Sequence, residues 1–168
     1  KIIFANPGTS RQATSFNALK KLKKYNIKNV LIHDAARPFC SNNLIAKILS
    51  KLQKNNNCIP YIEHSDRLIV KKTKKETKVL NIQTPQGFDY NLIFKAHNIY
   101  KDINASDDAS LLQKMNFKIF LLKGEKTNIK LTYPEDNIYL NLFKKVIIKS
   151  GIGYDIHRID KKTKTGLK

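Results

Sequence analysis

Apolar residues alternate along this chain between short continuous runs and helical spacing, and that alternation predicts a succession of strands and helices. Ile2-Ile3-Phe4-Ala5 has the length and composition of a short strand. Asn6-Pro7-Gly8-Thr9-Ser10 then turns the chain into a helix from about Arg11 to Tyr25. Asn29-Val30-Leu31-Ile32-His33 is a strand without polar alternation, as expected where both faces are covered. Ser41 is a good N-cap for a helix that carries Leu44, Ile45, Ile48, Leu49 and Leu52 on one face. Cys58 to Glu63 reads as a strand, and Arg67 to Val70 with Lys78 to Ile82, joined by a lysine-rich turn, as a protruding hairpin. Helices are expected from about Tyr90 to Tyr100 and from Asp107 to Met115, followed by a strand from Lys118 to Leu122. Pro134 suits the first turn of a last helix carrying Ile138, Tyr139, Leu142 and Phe143.

This order implies an α/β fold, a doubly wound and mostly parallel sheet whose ligand site lies at the C-terminal strand edge. A chain of 168 residues, 41% of them hydrophobic, has material for about one domain with a real core. No run approaches the ~18 apolar residues of a membrane span, and no charged-then-apolar leader opens the sequence. Neither a membrane anchor nor export is expected. Cys40 and Cys58 have no paired or CxxC spacing, which points to a reduced, cytoplasmic setting and to small core hydrophobes rather than nucleophiles.

The formal charge of +19 raises a second function class, a basic nucleic-acid-binding α/β module that gains affinity by releasing phosphate counterions. The distribution of the charge argues against it. Only Arg11, Arg37, Arg67 and Arg158 are arginines; the other 28 cations are lysines spread along the chain, beside abundant Asn and Ile. Such a bias fits an AT-rich coding sequence that fills solvated positions with lysine, whereas nucleic-acid readers favour clustered arginine and interleaved aromatics.

Chemistry concentrates in a few segments. In His33-Asp34-Ala35-Ala36-Arg37-Pro38 a buried strand ends on a carboxylate, which at the sheet edge could hold Mg²⁺ or orient a phosphate-bearing substrate. Ala35 and Ala36 let the backbone approach a ligand, and Arg37 offers a planar donor fork for phosphate. Taken alone, an Asp-x-x-Arg at a strand end is an ordinary surface ion pair. Ser106-Asp107-Asp108-Ala109-Ser110 opens a helix, where free N–H groups favour an anion, or where Ser106 simply caps the helix.

The whole hexapeptide from His33 to Pro38 resembles the hallmark of methylerythritol phosphate cytidylyltransferases, and the likeness extends over nearly the whole chain. Gly8-Thr9-Ser10-Arg11-Gln12-Ala13-Thr14 is similar to the family's Gly-x-x-Arg-x-x-Ser, with Thr14 at the usual serine. The resemblance implies that backbone groups at Gly8 and Thr9 and the Thr14 hydroxyl read the cytosine. Thr84-Pro85-Gln86-Gly87-Phe88 resembles the family's signature turn, with a structural role. Ser106 to Ser110 is similar to its Thr-Asp-Glu-Ala-Ser, and Asn128-Ile129-Lys130-Leu131-Thr132-Tyr133-Pro134-Glu135-Asp136 to its Asn-Ile-Lys-Val-Thr-x-Pro-Glu-Asp. The implied fold is nucleotide-diphospho-sugar transferase-like and Rossmann-like, with a β-hairpin arm. The implied reaction is transfer of CMP from CTP to 2-C-methyl-D-erythritol 4-phosphate with release of pyrophosphate. Asp34, Arg37 and Lys130 would be catalytic, Gly8, Thr9, Thr14, Ala35, Arg67 and Ser106 would bind substrate, and Asp34 would hold Mg²⁺. The related pentitol-phosphate (ribitol 5-phosphate) cytidylyltransferases share much of this signature.

Three features depart from the pattern or extend beyond it. The family's arm gives a Thr and an Arg to the neighbouring subunit of a homodimer; here the Thr position is Arg67 and the Arg position falls near Glu76. Gly151-Ile152-Gly153-Tyr154-Asp155-Ile156-His157 resembles the opening of methylerythritol cyclodiphosphate synthase, where Asp155 and His157 would be two ligands of a divalent metal, often Zn²⁺. The sequence does not begin on Met, and it lacks the family's first strand and Gly-rich triphosphate loop. The expectation is an internal piece of a longer reading frame, with a cytidylyltransferase domain over 1–149 and the start of a synthase domain over 150–168.

Overall fold

Successive residues of a strand point to opposite faces, and in this chain both faces of the sheet carry a core. The computed structural model describes residues 2–54, 56–63, 79–103 and 105–141. In β1 (Asn29–Ile32), Val30 and Ile32 pack against one cluster, built on Leu19, Phe88, Ile93 and Leu112, while Leu31 packs against another, built on Leu44, Ile48 and Leu52. In β2 (Cys58–Glu63) the same split separates Cys58 from Ile59. Apolar packing on both faces explains why β1 shows no polar alternation.

Helices α1 (Arg11–Leu22), α3 (Tyr90–Ile99) and α4 (Asp108–Lys114) contribute to the first cluster and α2 (Asn42–Gln53) to the second. Ser41 caps α2 as expected, its Oγ accepting from Leu44 N at 3.0 Å. The buried stripe of α2 is Leu44, Ile48 and Leu52, spaced by four; Leu49, expected on that face, turns 43% exposed because it sits one helical row to the side. Helix α1 ends three residues before the expected Tyr25, at a C-cap on Lys23.

The sheet is mixed. Strand β5 (Phe120–Lys123) runs parallel to β2, whereas β3 (Leu80–Ile82) and β4 (Gln86–Asp89) run antiparallel to it, and β4 also pairs antiparallel with β1. Strands β1, β2 and β5 thus share one direction. Between β3 and β4 the Thr84–Pro85 peptide is cis. Gly87 earns its place in that signature turn by packing: a Cβ there would lie 2.5 Å from Ile48 Cγ2 and 3.0 Å from Leu52 Cδ1, so only glycine lets α2 close on the sheet.

One expected strand is not formed. Ile2-Ile3-Phe4-Ala5 pairs with no strand among the described residues, and Ile2 and Phe4 are 83% and 87% exposed. Apolar composition favours a strand only where a neighbouring strand can take its N–H and C=O groups. The hairpin segment Arg67–Val70, with Glu76 and Lys78, lies outside the described residues, as do Leu142, Phe143, Asp155 and His157.

The chain divides into two units, residues 1–130 and 131–168. In the described part of the second, Pro134 opens a short 3-10 turn, Pro134–Asp136, and residues 137–141 are helical. Asp136 Oδ2 accepts from Thr132 N at 2.6 Å and Tyr133 N at 2.9 Å. No described helix is long and apolar enough to cross a membrane.

Candidate functional site

Beyond Ile32 the chain leaves the sheet in a tight turn, closed by Arg37 N donating to Asp34 O at 3.0 Å. His33 braces the turn from the side. Its Nε2 lies 3.0 Å from the Arg37 carbonyl, which can only accept, so Nε2 carries a proton, and Nδ1 shares a hydrogen bond of 3.0 Å with the Thr84 hydroxyl. Thr84 Oγ1 in turn accepts from Asp34 N at 3.0 Å. These bonds hold the Asp34 backbone, and Asp34 lines a cavity of about 330 Å³.

Lys130 enters the same cavity from the far end of the first unit. Its Nζ lies 3.2 Å from Asp34 Oδ2. Arg37 lines the cavity too, but its fork is turned towards the protein: Nη1 donates to Asn128 O at 2.8 Å, Nη2 to Ile82 O at 3.5 Å, and Nε stands 3.8 Å from Asp34 Oδ2. Burial lowers the Arg37 pKa against the opposing pull of Asp34, and a guanidinium so far above neutrality stays charged. The expectation of an open phosphate fork is corrected in this respect. Two of its donors meet backbone carbonyls that local sequence does not reveal.

The third wall comes from the segment before α4. Ser106 and Asp107 line the cavity, and the cap of α4 is Asp107, not Ser106: Asp107 Oδ1 accepts from Ser110 N at 2.9 Å and Oδ2 from Gln86 Nε2 at 2.9 Å. A carboxylate already occupies that helix end, so its dipole is satisfied from within. Ser106 is left as a hydroxyl on the cavity wall.

Arg11 completes the lining. Its Nη1 donates to Asp108 Oδ2 at 2.6 Å, and the other carboxylate oxygen meets Nε2 of the fully buried His97 at 2.9 Å. Burial alone would raise the Asp108 pKa, but the hydrogen bonds and charges of His97 and Arg11 outweigh it and hold the carboxyl below its ordinary range. Phe16 stacks on His97 at 5.7 Å between ring centroids.

Four of the sequence-derived site residues therefore converge on one cavity: Asp34, Arg37, Ser106 and Lys130. Gly8, Thr9, Thr14 and Ala35 are not among its lining residues. Thr14 Oγ1 instead accepts from Gly8 N at 2.9 Å and donates to Ser10 O at 3.0 Å, closing the loop that starts α1. A Cβ on Gly8 would lie 2.5 Å from Ala13 Cβ and 2.6 Å from the Ala13 carbonyl carbon, so glycine is required for that loop. Arg67, Asp155 and His157 lie outside the described residues. Sequence reasoning missed Arg11, Thr84, Gln86 and Asp107 as lining residues. For Arg11 one signal was available: it is one of four arginines in a chain that otherwise uses lysine.

Both cysteines fit their sequence reading. Cys58 is buried, its thiol pushed up to about 11 by that burial, and Cys40 is raised as well, by burial and by Glu125. Neither is poised as a nucleophile.

Comparison with known proteins gives the site its family. The model of IspD, 2-C-methyl-D-erythritol 4-phosphate cytidylyltransferase, matches residues 1–143. The bifunctional enzyme IspD/IspF of Pelagibacter ubique is 41% identical over 157 residues, covering 90% of this chain and 41% of that protein. The 2-C-methyl-D-erythritol 4-phosphate cytidylyltransferase of Clostridium beijerinckii is 35% identical over 150 residues, covering 84% of this chain and 66% of its own length. Among solved structures, the 4-diphosphocytidyl-2C-methyl-D-erythritol synthase of Anaerococcus prevotii superposes with a TM-score of 0.77 at 32% identity, over 86% of this chain and 71% of the other. This chain thus spans less than two thirds of the length of these two curated relatives. With a family model along most of its length and the family's fold in its first unit, the chain belongs to the IspD, 2-C-methyl-D-erythritol 4-phosphate cytidylyltransferase, family.

Proposed function

We propose that this chain provides the nucleotidyl-transfer site of an enzyme that moves CMP from CTP to 2-C-methyl-D-erythritol 4-phosphate and releases pyrophosphate. The observation that carries the reading is the convergence of Asp34, Lys130, Arg11 and Ser106 on a single cavity at the end of β1. In such a transfer a phosphate oxygen of the acceptor attacks the α-phosphorus in line and pyrophosphate leaves from the opposite side. The protein's share is positioning and neutralisation of charge. Lys130 and Arg11 supply the cations, Ser106 and Thr84 supply hydroxyls, and Asp34 keeps Lys130 directed into the cavity. Arg37 acts from behind, by holding Asn128.

Asp34 also fits Mg²⁺. Among the described residues no cluster of three or more His, Cys, Asp or Glu side chains could cage a metal, but Mg²⁺ in phosphate sites is held by one or two carboxylates together with substrate oxygens. Bound there, the ion would neutralise charge on the phosphates. The cytosine is assigned to the Gly8–Thr14 loop, with Thr9 and Ala35 at its edge; the closed hydrogen bonding around Thr14 supports a rigid platform for the base. Through the arm, a homodimer would bring Arg67 of one subunit to the acceptor phosphate of the other. At the C-terminus, Asp155 and His157 would begin a cyclodiphosphate synthase domain that binds a divalent metal, Zn²⁺, a reading supported by the bifunctional relative. The two free thiols suit a cytoplasmic protein.

The test is pyrophosphate release by the full-length gene product with CTP, using 2-C-methyl-D-erythritol 4-phosphate and ribitol 5-phosphate as competing acceptors. Preference for the methylerythritol acceptor is expected. Preference for ribitol 5-phosphate would transfer the protein to the pentitol-phosphate enzymes.

A further inference from the structure

We propose that Gln83 is a positioning residue of this site: held between β3 and β4, it sets Lys130 against Asp34. Gln83 is 2% exposed, and a buried amide must find partners. Its backbone N donates to Pro60 O at 2.8 Å, and the hydrogen bonds of its side chain all lie on one distant turn. Nε2 donates to Glu125 O at 2.9 Å and Asn128 O at 3.0 Å, while Oε1 accepts from Glu125 N at 3.1 Å. That turn leads directly to Lys130, two residues beyond Asn128.

The next residue along the chain holds the other half of the site. Thr84 Oγ1 accepts from Asp34 N at 3.0 Å, and Thr84 O accepts from Asn128 Nδ2 at 2.8 Å. Asn128, itself fully buried, also accepts from Arg37 Nη1 at 2.8 Å. Residues 82–84 therefore fasten both the turn that carries Asp34 and the turn that carries Lys130, and the 3.2 Å between Lys130 Nζ and Asp34 Oδ2 is set across them. Gly124 makes the fit tighter: a Cβ there would fall onto Gln83 Oε1. Gln83 does not line the cavity, so its influence on substrate passes through these two residues.

This inference rests on Lys130 serving the transferred charge, and a double-mutant cycle in the full-length gene product separates the two statements. Gln83→Met keeps the length of the side chain and removes its polar atoms. A displacement of ~1 Å in a charge-transfer site can cost about 10²-fold, so kcat should fall by about that factor with the Michaelis constant for CTP unchanged. In a Lys130→Ala background the same substitution should cost nothing further. An equal loss in both backgrounds, or an unchanged kcat, overturns the role of Gln83. Unaltered turnover by Lys130→Ala alone removes the reading beneath it.

Should Gln83→Met fail to fold, Gly124→Ala displaces the glutamine without deleting it. The readout is then acylation of Lys130, followed by peptide mass spectrometry against the exposed Lys20 and Lys101. A selective rise at Lys130 supports the proposal; no rise, or a general one, refutes it.

Discussion

Replacing Asp108 by alanine removes the acceptor of the buried His97 and the partner of Arg11 in one step. The His97 and Asp108 side chains are 0% and 2% exposed, so their 2.9 Å bond lies away from water. Hydrogen bonds to charged groups contribute roughly 1.5–3 kcal/mol each. The Arg11 side chain is 39% exposed, which screens its half of the pair to about 0.2–1 kcal/mol. His97 Nδ1 already lacks a hydrogen-bond partner, so the ring would be left buried with neither nitrogen satisfied. A loss of about 3 kcal/mol is expected in total, and at about 2–4 °C per kcal/mol for a chain of this size that is a fall of about 6–12 °C in Tm. Asp108→Asn keeps an acceptor for His97 but turns an amide NH₂ towards Arg11, and should fall between the two. Thermal unfolding followed by circular dichroism at neutral pH measures both. A shift below about 2 °C for the alanine variant would refute the account, because a buried acceptor cannot be removed so cheaply. The pH profile adds a second check. The folded-state pKa of Asp108 is lowered, so the unfolded chain takes up the proton first on acidification. The stabilisation is complete above the ordinary carboxylate value of ~3.9 and is lost as pH falls through the folded value. Asp108→Ala should lack that part of the acid limb.

The remaining predictions concern the two ends of the proposed substrate. Gly8→Ala forces a Cβ onto the Ala13 and Thr14 backbone, with contacts of 2.6 and 2.7 Å, and should cost about 1–3 kcal/mol by overpacking while raising the Michaelis constant for CTP. Unchanged CTP kinetics in a folded variant would remove this loop from base recognition. Arg67→Thr in the full-length gene product should raise the Michaelis constant for 2-C-methyl-D-erythritol 4-phosphate and leave that for CTP unchanged. No kinetic effect would remove Arg67 from recognition of the acceptor phosphate.

Much of the local structure was legible because it is written locally. Ser41 ahead of an apolar stripe at spacing four fixes α2, and the uninterrupted Val30-Leu31-Ile32 run marks a half-buried strand packed on both faces. The motif residues Asp34, Ser106 and Lys130 were also recoverable, and they do share one cavity. Other properties depended on which residues meet across the fold. The run Ile2–Ala5 has strand composition yet forms no strand, since a ladder needs a partner and composition does not supply one. Arg37 reads as an open phosphate fork until Asn128, 91 positions away, places its carbonyl 2.8 Å from Nη1. Arg11 finds Asp108 across 97 positions. Gln83 looks like an ordinary polar residue beside a turn, and its role emerges only when β3, β4 and the 125–128 turn enclose it. By itself the sequence determined most of the elements, the cap of α2 and the motif residues, because propensity, periodicity and capping act over a few neighbouring residues. Only the tertiary structure decided strand direction, the orientation of each guanidinium and the buried polar contacts behind the site. Those follow from satisfying donors and acceptors between segments that the chain brings together only on folding.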